Sequence, residues 1–132
     1  MKRLTIGQIA KASHVNIETV RYYERCGLIP KPPRSESGYR LYSEEVINLI
    51  RFIKHAKALG FSLREIRELL SLRVEEGVSC AQVKDKAEAK ITEIEERIQS
   101  LKRMKNALLK LTKECTGKGP VKECPILDAL EK

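Results

Sequence analysis

The 132-residue sequence contains no tryptophan, and its aromatic residues amount to only 5%. Large aromatic side chains supply much of a thick globular core, so a modest core is expected. No run approaches the roughly 18 apolar residues that a membrane-spanning helix needs. Met1-Lys2-Arg3 is basic, but Gly7, Gln8, Lys11 and His14 break up the next stretch before any apolar run can form. No export signal is therefore expected, and the chain reads as cytoplasmic with no membrane partner. A Cys-x-x-Cys pair, a nucleophile–base motif and a glycine-rich phosphate loop are also missing. These gaps speak against an enzyme such as a thiol oxidoreductase. Glu36 and the Glu44-Glu45 pair read as turn and helix-start acids, not as a catalytic dyad.

Charge is plentiful. Charged residues make up 33% of the chain, the formal net charge is +8 and the pI is about 9.4. The first 60 residues hold eleven Lys or Arg against five Glu, so the basic excess is localised. A localised basic excess favours a polyanionic partner. The length leaves room for one compact domain and one extended element, and so small a core is readily supplemented by oligomerisation.

Helix signals recur along the first half. Thr5 with Gln8 forms a capping-box pattern, and Ile6, Ile9, Ala10 and Ser13 then share one face. Asn16 can cap a second helix that carries Val20, Tyr23 and Glu24 and ends at Gly27. Two short helices joined by a polar turn make a helix-turn-helix candidate. Pro30, Pro32 and Pro33 then hold the chain extended. Ser37-Gly38 reads as a turn between Arg34 and Tyr39-Arg40-Leu41-Tyr42, giving a small flap beside the second helix. Ser43-Glu44-Glu45 should open a third helix with Ser43 as its cap, ending near Leu59-Gly60. Ser62 with Glu65 forms another capping box and starts a fourth helix.

From Ala81 to Glu114 there is no Gly or Pro. Val83, Ala87, Ile91, Ile94, Ile98, Leu101, Met104, Leu108 and Leu111 recur at spacings of three and four, which predicts a long amphipathic helix suited to a coiled-coil seam. Residues 85–96 hold five acids against two lysines, while residues 97–113 hold six bases and no acid. An antiparallel homodimer sets each acidic half against a basic half, whereas a parallel pair stacks like on like. Packing of this helix back onto the N-terminal domain is the competing account. Gly117, Gly119 and Pro120 end the helix, and Cys124-Pro125 begins a terminal turn or short helix through Leu130.

For double-stranded DNA, the candidate contacts are Asn16, Thr19, Arg21, Tyr22, Tyr23 and Arg25 on the second helix. Arg34, Tyr39 and Arg40 on the flap would hold phosphates, with Lys54 or Lys57 as a further backbone clamp. The plain alternative for any one of them is packing, as for Tyr23 and Tyr39, or a solvated basic face. His14 and His55 read as a turn residue and a packed helix residue.

Four cysteines fall at 26, 80, 115 and 124. A helix of about 34 residues is roughly 50 Å long, so Cys80 and Cys115 cannot meet within one chain. An antiparallel partner brings its Cys80 beside Cys115 and Cys124, giving two equivalent sites per dimer. Three thiolates without a nearby His favour a soft ion: Hg(II) in a trigonal site, or Pb(II) or Cd(II). Zn(II) would need a fourth donor. A Cys115–Cys124 disulfide is the alternative, disfavoured in a reducing compartment. Cys115-x8-Cys124 is too sparse for an iron–sulfur cluster. Cys26 reads as a small filler.

"LTIGQIAKASHVNIETVRYYERCGLIP", "GYRLYSEEV" and "FIKHAKALGFSLREIRELL" together resemble the signature of MerR-type regulators. The resemblance implies a mainly α fold. Residues 1–75 would form a winged helix-turn-helix DNA-binding domain, and residues 76–115 a dimerisation helix in an antiparallel coiled coil. Residues 116–132 would form a metal-binding loop with a terminal turn or short helix. It also implies a regulator that stays on its promoter operator and, on binding its effector, distorts an overlong spacer so that RNA polymerase engages both elements. The cysteine order, with Pro-Ile-Leu after Cys124, resembles the mercury-responsive branch. Zinc-responsive relatives typically carry an adjacent cysteine pair at the helix end and a loop histidine, both missing here. "FIKHAKALGFSLREIRELLS" is equally similar to the zinc, cadmium and lead branches.

Overall fold

The computed structural model describes residues 3–34 and 38–132. Local signals in the chain set most of the architecture, and the helices come in the expected order. The elements are β1 (Arg3–Leu4), α1 (Ile6–Ala12), α2 (Ile17–Arg25), β2 (Tyr42–Ser43), α3 (Glu45–Ala58), α4 (Leu63–Val74) and α5 (Cys80–Glu114). A 3-10 turn at Val121–Glu123 and α6 (Pro125–Glu131) complete the chain. No helix is long and apolar enough to cross a membrane among the described residues.

The helix starts reflect side-chain chemistry. In α1 the Thr5 hydroxyl accepts from the Gln8 amide while Gln8 Oε1 accepts from the Thr5 amide. Ser62 and Glu65 close the same reciprocal pair at α4. At α2, Asn16 Oδ1 accepts from both the Thr19 amide and the Thr19 hydroxyl, each at 2.8 Å. Each such cap satisfies amides that the helix itself leaves orphaned.

The start of α3 corrects one expectation. Its N-cap is Glu44, without a side-chain cap bond, and Ser43 lies in β2. The Ser43 hydroxyl still accepts from the Glu45 amide at 3.3 Å. Ser43 is drawn out of the cap position because β2 pairs antiparallel with β1, Arg3 opposite Ser43 and Leu4 opposite Tyr42. A second correction concerns α5, which begins on Cys80 itself rather than after it. A third concerns His55, which is exposed on α3 and not packed.

Two compact units divide the chain, Met1–Val83 and Lys84–Lys132, with the boundary inside α5. In the first unit the core is Ile9, Val20, Tyr23, Leu28, Ile29, Tyr42, Val46, Ile50, Ile53 and Ile66, with Ala10 and Ala56. Ile9, Val20, Ile50, Ile53 and Ile66 have no exposed surface, and each full burial of this kind stabilises by about 1.5–3 kcal/mol. They come from α1, α2, α3 and α4, so the helix-turn-helix is held as a single block. In the second unit α5 carries its apolar stripe in the open. Ile91, Ile94, Ile98, Leu101, Met104 and Leu108 are 38–60% exposed. Glu93 pairs along the same helix with Lys90 at 2.7 Å and Arg97 at 3.0 Å.

Candidate functional site

The first candidate surface lies on α2 and the flap. The turn from α1 to α2 passes through His14, the one non-glycine residue with positive φ (58°) among those described. Lys54 of α3 donates to the carbonyls of Ser13 and His14 at 3.4 and 3.5 Å. Its ammonium is thus directed to the turn. Beyond the turn, Arg21 is exposed and pairs with Glu18 at 3.0 Å. Tyr22 is half-exposed, with the Arg25 guanidinium 5.8 Å from its ring centre. Tyr23 is only 4% exposed, and the Lys57 ammonium sits 6.0 Å from its ring centre. Burial pushes its phenol above the ordinary tyrosine range. Its ring is core packing, while Tyr22 one position earlier faces outward, as helical phase requires.

At the end of α2, Gly27 takes a left-handed φ of 77° and lets the chain turn away. Cys26 is half-buried there. Its side chain packs against the core, and its carbonyl accepts from the Arg67 guanidinium. Those contacts agree with a packing role for this thiol.

On the flap, Arg34 and Arg40 form an isolated antiparallel bridge, and Arg34 Nη1 donates to the Gly38 carbonyl at 3.4 Å. Gly38 has φ 88°. Ser37 and Glu36 lie outside the described residues. Tyr39, 70% exposed, projects from the flap and is not core. Tyr42, by contrast, is buried, and its hydroxyl donates to a Glu24 carboxylate oxygen on α2. Its phenol is pushed up to about 12, first by burial and then by Glu24, against the opposing pull of Arg40 and Arg21. Arg21, Arg34, Tyr39, Arg40 and Tyr42 line one hollow of about 230 Å³. Arg40 Nε is buried with no protein partner among the described residues. Three guanidinium groups around one hollow, one with an unspent donor, suit an anionic oxygen ligand. Sequence reasoning misses the Tyr42–Glu24 bond and the Lys54 contact. Both join residues 18 or more positions apart, and local pattern carries no signal for that.

The second candidate surface lies in the second unit, after α5. Cys115 and Cys124 are both half-buried and line a hollow of about 460 Å³ with Gly117, Gly119 and Pro120. Cys124 is the N-cap of α6, with Pro125 at the first helical position. The amides of Leu127 and Ile126 hold its thiol below the ordinary range, with Cys115 assisting; burial and Asp128 oppose them. The Cys-Pro step is the signal for this in the sequence, since proline favours the first helical position. Paired thiols, one biased towards thiolate, are a soft donor set and fit a soft cation. Cys80 is exposed at the first residue of α5. One chain brings no group of three or more His, Cys, Asp or Glu together among the described residues.

Residues 4–73 match the model of the MerR HTH family regulatory proteins, and residues 47–111 that of the MerR DNA-binding family. The chain belongs to the MerR family. This MerR-family chain is 41% identical to the mercuric resistance operon regulatory protein of Bacillus cereus, covering 98% of each chain. It is 40% identical to the HTH-type transcriptional regulator ZntR of Escherichia coli K12, over 96% of this chain and 92% of that one. Among solved structures, the transcription regulator PbrR691 from Ralstonia metallidurans CH34, in complex with lead(II), superposes with a TM-score of 0.87. That match has 34% identity and covers 96% of this chain and 98% of the other. In MerR-family terms α1 and α2 are the helix-turn-helix, and the Arg34–Arg40 flap stands where the sequence pattern expects the wing.

Proposed function

We propose that the chain is a metal-responsive transcription regulator of the cytoplasm, acting as a homodimer on double-stranded promoter DNA. Arg21, Tyr22 and Arg25 on α2, with Arg34, Tyr39 and Arg40 on the flap, would meet the DNA, while Asn16, Thr19 and Tyr23 set the position of the helix. The exposed apolar stripe of α5 supports dimerisation, and its acidic and basic halves support an antiparallel pair. A partner arranged in that way would supply the third thiolate, Cys80, to Cys115 and Cys124.

The observation that carries the metal reading is that Cys115 and Cys124 line one hollow, with Cys124 held towards thiolate by the α6 amides. A soft cation bound there supplies thiolate bonds that tie one subunit to the other. The chain's own residues then link that tie, through α5, to the DNA-binding units of the dimer. We favour Hg(II) because the set is three sulfurs without histidine, and because the mercuric resistance regulators are similar over nearly the whole chain. Zn(II), Cd(II) or Pb(II) is the second reading, supported by the comparable likeness to a zinc-named and a lead-bound relative. In either case the regulator represses without metal. With metal it distorts the promoter so that RNA polymerase engages it.

Two variants separate the parts. Cys80→Ser should abolish the metal response in a reporter assay and leave DNA affinity intact. Arg21→Ala should weaken DNA binding with and without metal. A full metal response in Cys80→Ser would sink the cross-subunit site.

A further inference from the structure

The hollow lined by Arg21, Arg34 and Arg40 has two walls of separate origin. Arg21 stands on α2, whereas Arg34 and Arg40 stand on the flap. Among the described residues the flap shows an isolated bridge and an Arg34–Gly38 bond, and a short two-stranded ribbon is not stable on its own in water. Among the described residues, Tyr42 ties it to α2. Its ring is buried in the core, its backbone pairs with Leu4, and its hydroxyl donates to Glu24, one turn beyond Arg21 on α2. Glu24 is a puzzling residue for a helix that faces a polyanion. An acid there repels phosphate unless it is neutralised or committed elsewhere, and this one is committed to the Tyr42 hydroxyl.

We infer that Tyr42 and Glu24 are positioning residues for DNA binding: their hydrogen bond fixes the flap arginines against α2 so that Arg34 and Arg40 engage backbone phosphates together with Arg21. The inference rests on the DNA-binding reading above. Tyr42 acts through the two flap arginines.

The test is the salt dependence of binding to a mixed-sequence duplex, because phosphate contacts are read regardless of base sequence. Each lost phosphate contact lowers the slope of log affinity against log salt by about 0.9. In the 132-residue chain, Tyr42→Phe should make the slope shallower by about 1–2 and weaken binding at low salt by about tenfold or more. Glu24→Ala should do the same, whereas Glu24→Gln keeps an acceptor for the hydroxyl and should retain the original slope. Circular dichroism identifies folded protein, and if Tyr42→Phe does not fold, Glu24→Ala reads the same bond from the helix side. An unchanged slope in folded Tyr42→Phe or Glu24→Ala overturns the inference and leaves the DNA reading standing. A native chain with no salt-dependent affinity for duplex overturns both.

Discussion

Leu101 offers the sharpest handle on whether α5 is a dimerisation helix. It lies near the middle of the stripe and is 60% exposed in the single chain. Full burial of a leucine stabilises by about 1.5–3 kcal/mol, so the exposed fraction leaves about 1–2 kcal/mol per protomer to be gained on pairing. A symmetric dimer buries two copies, for a total of about 2–4 kcal/mol. Leu101→Ala forfeits most of that, and at about 1.4 kcal/mol per factor of ten the dimer dissociation constant should rise by about 30- to several hundred-fold. Alanine is the strongest helix former, so the helix itself is spared and its circular dichroism should hold at concentrations where the dimer persists. Sedimentation equilibrium across a concentration series measures both constants. The same dissociation constant in Leu101→Ala and the native chain, or a native chain that stays monomeric at tens of micromolar, would refute the seam.

Two further outcomes concern the first unit. Asn16→Ala removes the acceptor of two 2.8 Å bonds at the start of α2 and should cost about 1 kcal/mol, a fall in Tm of a few degrees; Asn16→Ser should keep most of it. An unshifted melt in Asn16→Ala would mean that the cap contributes nothing. For Tyr42, whose phenol is pushed up to about 12 from an ordinary value of 10.0, the stabilisation is complete below pH 10. It is lost as pH rises through about 12, by up to about 3 kcal/mol, because the unfolded chain gives up its proton first. Urea unfolding at about pH 9.5 and about pH 11.5 should show a smaller loss in Tyr42→Phe than in the native chain, lysine titration being common to both. Equal losses would contradict the assigned burial.

The legible parts of this fold are those whose cause is local. Thr5 with Gln8 and Ser62 with Glu65 are complete caps within four residues, and Asn16 needs only Thr19. The α5 stripe shows in its spacing, and the cysteines show as soft donors. The features that sequence reasoning misplaces depend on distant partners or on the phase of a helix. Ser43 reads as a cap because nothing local marks its pairing with Arg3, forty residues away. His55 reads as packed, although its neighbours Ile53 and Ala56 already fill the buried face of α3. In Tyr22-Tyr23 the two rings are one helical step apart, and only the phase set by Val20 decides that Tyr23 goes inward. The α6 amides that favour the Cys124 thiolate depend on where that short helix starts, which Cys-Pro hints at and the three-dimensional structure makes explicit.

A soft-metal site shared between subunits can be probed by a competition titration of the reduced protein with excess small thiol present. One Hg(II) per chain should be tightly held, and lost separately in Cys80→Ser, Cys115→Ser and Cys124→Ser. Tight Zn(II), Cd(II) or Pb(II) with Hg(II) stripped away by the competing thiol would favour the second reading of the same site. Metal retained at full stoichiometry in Cys80→Ser, or no metal bound at any concentration, would contradict the shared site.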